Sequence, residues 1–117
     1  MGYFVGELKL ERAGSKDWKT LEDLLYVTND AFRIEVEAGF ETDGASIPRG
    51  LWSFIGHPLN GKHARAATIH DYMYENAIRT KKEADLIFRE AMKTDGVSKL
   101  RRNLMYYAVH LFGKGSY

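Results

Sequence analysis

The sequence predicts an α+β fold, a small N-terminal antiparallel β-sheet followed by a cluster of about three α-helices. Apolar and polar residues alternate in the first third, and beyond about residue 60 the apolar period lengthens to that of a helix. Turn-forming residues separate the two regimes.

From Met1 to Leu10 apolar residues are interleaved with Glu7 and Lys9, so that Leu8 and Leu10 flank a charge as a strand would place them. Leu24 to Val27 is a short apolar run. Phe32, Ile34 and Val36 then alternate with Arg33, Glu35 and Glu37, giving one buried and one wet face. Thr28-Asn29-Asp30 joins these runs as a hairpin turn, because Asn and Asp tolerate the backbone angles of such turns.

The segment from Gly39 to Arg49 reads as a loop. Pro48, whose fixed φ suits a first helical turn, introduces a short stretch carrying Leu51, Trp52, Phe54 and Ile55. Gly56 to Gly61, with His57-Pro58 inside it, is a further loop. From Lys62 to about Ile78, Ala66, Ile69, His70, Met73 and Ala77 recur at helical spacing. From Lys81 to Lys93, Ala84, Ile87, Phe88 and Ala91 do the same, and Gly96 ends the run. Leu100, Leu104, Tyr107, Ala108 and Leu111 form the apolar stripe of a third helix, Ser98 to Phe112, with Ser98 as cap and Gly113 as stop.

A chain of 117 residues buries one core, so a single domain is expected across 1–117. Its 17 Lys and Arg against 16 Asp and Glu are mixed along the chain, which argues against a field that would hold nucleic acid nonspecifically. The pairs Lys81-Lys82 and Arg101-Arg102 read as solvated helix faces. The absence of cysteine excludes disulfides and thiolate metal sites and suits a reducing compartment. No apolar run is long enough for a transmembrane segment, and the N-terminus lacks a signal peptide's apolar block, so the cytoplasm is the default location.

Chemistry concentrates at Ile69-His70-Asp71-Tyr72-Met73-Tyr74. His70 falls in the apolar stripe, and Asp71 lies only about 100° further around the helix, on a face with Ala67, Tyr74 and Ile78. Both should point inward, where an ionised carboxylate needs a partner. Asp85 repeats the anomaly beside Phe88 and Met92. The short connection Arg79-Thr80 makes the two helices antiparallel neighbours, so Asp85 can reach the His70 ring and hold one tautomer, leaving the other nitrogen as a general base.

Asp43-Gly44 allows a tight turn. Asp43 and Asp71, with loop carbonyls and water, supply oxygens suited to Ca2+, whereas His63 and His70 are about 10.5 Å apart along a helix, too far to share zinc. Bland alternatives stand beside each of these. His70 can be a satisfied structural hydrogen-bond knot, Asp85 can pair with Arg89, Asp43-Gly44 can be only a turn, and Ser46 lacks the context of a nucleophile elbow.

The succession Gly39-Phe40, Thr42-Asp43-Gly44-Ala45-Ser46-Ile47-Pro48, His70-Asp71-Tyr72-Met73-Tyr74 and Ala84-Asp85 with Phe88 and Met92 resembles the phage and prophage family catalogued as domain of unknown function 1353. The resemblance covers most of the chain after about Leu24 and implies a phage or prophage gene. A second, more local resemblance is to secreted phospholipase A2 enzymes, in which a His-Asp pair is followed by Tyr three residues on, with an Asp on the next helix. It implies that His70 activates water, Asp71 and Asp43 bind Ca2+, Asp85 orients His70, and Tyr74 supports Asp85. This chain departs from those enzymes in having no cysteine, no signal peptide and no clear glycine-rich calcium loop beyond Asp43-Gly44.

Two expectations follow. One is a calcium-assisted hydrolase acting on a lipid or cell-envelope bond. The other is a virion or tail-associated protein whose His/Asp cluster is structural, with other virion proteins as partners. The corresponding locations are the host cytoplasm and the virion.

Overall fold

The computed structural model describes residues 2–14, 18–44, 50, 52–55, 57 and 59–113. Six short strands come first: β1 (Tyr3–Val5), β2 (Leu10–Arg12), β3 (Trp18–Thr20), β4 (Leu24–Val27), β5 (Arg33–Val36) and β6 (Glu41–Thr42). Four helices follow, α1 (Trp52–Ile55), α2 (Ala64–Glu75), α3 (Lys81–Thr94) and α4 (Lys99–Phe112). The architecture is the expected α+β, with its antiparallel β region divided into two three-stranded sheets ordered β1-β4-β5 and β2-β3-β6. Strands β3 and β6 were not anticipated. They are three and two residues long, too short to display alternation, and β6 lies in the segment read as loop. Ser46, Pro48 and Leu51 lie outside the described residues.

The β4–β5 hairpin supplies the sheet side of the core. Leu24 pairs with Val36 and Tyr26 with Ile34, and all four side chains are buried. Its turn falls on Thr28-Asn29-Asp30, as expected, but the left-handed residue is Ala31 (φ 68°). The Thr28 hydroxyl accepts from the Phe32 amide (3.0 Å) and donates to Asp30, so side-chain hydrogen bonds brace a turn that places no glycine at its positive φ.

The helix ends follow local rules. In α2 the Ile78 amide reaches back to the Met73 carbonyl (2.9 Å) around Ala77 at φ 50°, so the helix stops before Ile78. In α3 Thr80 and Glu83 make a reciprocal capping box, and the Val97 amide closes the far end onto Met92 (2.9 Å) around Gly96 at φ 80°. Ser98 caps α4 by accepting from the Arg101 amide.

Ala66, Ile69 and Met73 of α2, Ala84, Phe88, Ala91 and Met92 of α3, and Met105 and Val109 of α4 complete the core over the hairpin. Arg65 pins α2 in place: its Nε donates to Asp95 (3.0 Å), another guanidinium nitrogen donates to the Gly6 carbonyl (3.0 Å), and the group lies over the Phe4 ring. The apolar stripe read for α4 is corrected. Met105, Tyr106, Ala108 and Val109 face inward, whereas Leu100, Leu104, Tyr107 and Leu111 are 82%, 51%, 55% and 66% exposed. Helix α4 has apolar residues on two faces, and spacing alone does not say which of them meets the core. Among the described residues no helix is long and apolar enough to cross a membrane.

Candidate functional site

Helices α2 and α3 are packed neighbours, and their contact brings His70, Tyr74 and Asp85 together. His70 and Asp85 are completely buried. The imidazole Nε2 stands 2.7 Å from Asp85 Oδ1, and the Tyr74 hydroxyl donates to the same oxygen. An ionised carboxylate only accepts, so Nε2 carries the proton and Nδ1 is the basic nitrogen of the neutral ring. Phe88 stacks on the imidazole (4.6 Å between centroids) and Tyr74 tilts against it (4.2 Å), which fixes the ring plane.

The charge on Asp85 is met by a residue the sequence reading had assigned to a solvated face. Lys81, one turn earlier on α3, places Nζ 2.8 Å from Asp85 Oδ2. It also donates to the carbonyls of Val109 (3.0 Å) and His110 (3.2 Å) near the end of α4. His110 Nδ1 is 3.8 Å from Asp85 Oδ2. Arg89, the alternative partner for Asp85, instead lies over the Tyr106 ring. The i, i+4 spacing of Lys81 and Asp85 was the available signal for their pairing. The approach of His110 comes from α4 packing and leaves no local trace in the sequence.

Burial pushes the Asp85 carboxyl up, but the hydrogen bonds from His70, Lys81 and Tyr74 outweigh it and hold the group below the usual carboxylate range. Burial disfavours the imidazolium of His70 more than Asp85 favours it, so this histidine lies below its ordinary range and is neutral at pH 7. The cluster is therefore a carboxylate and a neutral imidazole, with the compensating positive charge on Lys81.

Asp71 is nearly buried and faces the β side, where the Thr42 hydroxyl of β6 donates to Oδ2. The Gly44 amide donates to that same hydroxyl oxygen (3.2 Å), and Gly44 adopts a left-handed φ of 74°. Asp43, just before it, is half-buried. Thr42 thus ties the start of the loop to α2 through Asp71, a role the sequence reading missed. His63 does not join the cluster; its Nε2 meets the His57 carbonyl at 2.9 Å. Among the described residues no three His, Asp or Glu side chains gather closely enough to hold a metal ion. A groove of about 470 Å3 opens beside Phe40, Glu41, Tyr72 and Glu75, and none of the expected site residues lines it.

The family model described as "Protein of unknown function (DUF1353)" matches residues 18–109. Over 112 residues the chain is 37% identical to "Uncharacterized protein y4iH" of Sinorhizobium fredii, an alignment covering 94% of this chain and 47% of the relative. It is 40% identical over 78 residues to "Uncharacterized protein y4jT" of the same organism, covering 67% of this chain and 23% of that one. The chain thus spans about half the length, or less, of these curated relatives. No solved structure matches it.

Proposed function

The chain belongs to the DUF1353 family of proteins of unknown function, and within that family we propose that His70 and Asp85 form the general-base pair of a phage-encoded hydrolase. The observation that supports this most is the 2.7 Å approach of Nε2 to Asp85, which orients the ring and puts the proton of the neutral imidazole on Nε2. In such a reaction the buried site opens, water replaces the partner Nδ1 holds in the packed chain, and Nδ1 takes a proton from that water as its oxygen attacks an ester or amide carbonyl. The imidazolium then returns that proton to the leaving group. Tyr74 and Lys81 stabilise the Asp85 carboxylate that holds the ring, and act as positioning residues.

Asp71 and Asp43 are the oxygen ligands proposed for Ca2+. Two carboxylates fall short of the roughly six to eight oxygens that ion takes. One Asp71 oxygen already accepts from Thr42, and no three acidic or histidine side chains gather among the described residues. The test is hydrolysis of a panel of carboxylic esters, phospholipids and cell-envelope polymers by the purified chain, beside His70→Asn and Asp85→Asn. Turnover lost in both variants while their folded spectra persist supports the proposal, and turnover retained in His70→Asn overturns it. A calcium ion held by these two carboxylates would raise the melting temperature of the native chain but not of Asp71→Asn, and an unchanged melting temperature at millimolar calcium removes them as ligands.

A second function is favoured by one specific observation. His70 and Asp85 have no exposed surface, and among the described residues every buried side-chain nitrogen or oxygen has a partner, as in a polar knot that fixes packing. That arrangement suits a virion-associated structural protein. It predicts copurification with phage particles and a His70→Ala variant altered in stability or assembly alone.

A further inference from the structure

A second buried histidine is held by one nitrogen only. His63 stands at the N-cap of α2 but makes no side-chain cap, and its Nε2 meets the His57 carbonyl oxygen at 2.9 Å. A carbonyl only accepts, so Nε2 carries the proton and Nδ1 presents a lone pair. Among the described residues nothing bonds to that nitrogen. His63 is 3% exposed, yet every fully enclosed side-chain nitrogen or oxygen among the described residues has a partner, so Nδ1 keeps a small accessible surface. The cavity that His63 lines is a pocket of about 450 Å3 between the starts of α2 and α4. Burial holds the imidazole below its ordinary range against the pull of the His57 carbonyl, and the nearby charges of Arg101 and His57 lower it further, so the ring is neutral at pH 7.5.

Other groups around the pocket donate. Lys62 is exposed and makes no ion pair among the described residues. The Ser98 hydroxyl accepts from the Arg101 amide, which leaves its own O–H to donate, and Asn60 brings a side-chain amide. No Asp or Glu lines the pocket among the described residues, and the starts of two helices favour negative charge there. Arg101 lines it too but is already engaged within the chain, and the argument for an anion stands without it. We propose that this pocket binds inorganic phosphate, whose O–H donates to His63 Nδ1 while Lys62, Ser98 and Asn60 donate to its other oxygens. A lone pair facing the ligand selects an anion that still carries a proton. Inorganic phosphate keeps one at neutral pH, sulfate has none, and a phosphate monoester loses its last with a pKa of about 6. A site built to bond a hydroxyl rejects the analogue that lacks it, because its own buried group is then left unpaired. The pocket is separate from the His70 cluster and does not depend on the activity proposed there.

Isothermal titration calorimetry of the purified chain at about pH 7.5 compares sodium phosphate, sodium sulfate and methyl phosphate. Phosphate is expected to bind at least about tenfold more tightly than either of the others. His63→Asn keeps a favourable N-cap residue and can turn its amide donor toward sulfate, so the preference should fall below about threefold. Lys62→Ala, at an exposed position, should weaken phosphate binding about fivefold with an unchanged thermal melt. In 15N NMR of the native chain, phosphate should move the His63 Nδ1 resonance as that nitrogen gains a donor, and sulfate should leave it in place. Sulfate or methyl phosphate binding as tightly as phosphate overturns the proposal. So does an absence of phosphate binding at about 10 mM, or a His63 Nδ1 resonance that phosphate does not move.

Discussion

Replacing Lys81 with Met removes the cation that stands 2.8 Å from the buried Asp85 carboxylate, while keeping much of the side-chain volume. Breaking a fully buried ion pair costs about 3–5 kcal/mol, because the remaining charge keeps its desolvation penalty without compensation. Lys81 is 22% exposed, so water reaches the vacated position in part, and the expected loss is about 2–4 kcal/mol including its bonds to the Val109 and His110 carbonyls. Out of a total stability of roughly 5–15 kcal/mol this is a large fraction. Urea titration followed by circular dichroism should show the midpoint falling with the slope unchanged. In an Asp85→Asn background the same replacement should cost less, leaving only the bonds to the Val109 and His110 carbonyls, since no buried charge then needs Lys81. A loss below about 0.5 kcal/mol in the native background, as for an ordinary surface lysine, would refute the idea that Lys81 neutralises Asp85.

Acid should destabilise the chain. The folded His70 binds its proton more weakly than the unfolded one, whose pKa is near 6.5, so stability is present above that value and is lost as pH falls through it. Asp85, held below its unfolded value of 3.8, adds a further loss as pH drops toward its folded pKa. Urea midpoints at about pH 7.5 and about pH 5 check the sign, and a higher midpoint at the acid value contradicts it. Thr80→Ala should cost about 1 kcal/mol by removing the capping box of α3, measured by the same titration. Gly6→Ala should lower the melting temperature, because its φ of 99° is poorly tolerated by other residues and the added Cβ would lie 2.7 Å from the Asp23 carbonyl oxygen.

The parts of this fold that were legible in the sequence are those with enough residues to show a period. Helices α2 and α3 gave their inward rows through Ala66, Ile69, Met73, Ala84 and Phe88, and the β4–β5 hairpin gave its face through Ile34 and Val36. Strands β3 and β6 stayed hidden because two or three residues cannot alternate. Helix α4 misled, since a stripe of Leu and Tyr satisfies the same pattern whether it meets the core or a partner. The placement of His70 beside Asp85 followed from a short interhelical connection. Lys81 was passed over because a lysine at the start of a helix resembles any solvated lysine until the depth of its acceptor is known. Thr42 needed the β6–α2 contact, which separates it from Asp71 by 29 residues.

The state of the His70 ring is the most direct test of the site. In 15N-detected NMR of the labelled chain, Nε2 should carry the proton and Nδ1 should show the shift of an unprotonated nitrogen at pH 7, with conversion to imidazolium only below the ordinary histidine range. A proton on Nδ1 of the neutral ring, or an imidazolium already present at pH 7, would contradict it.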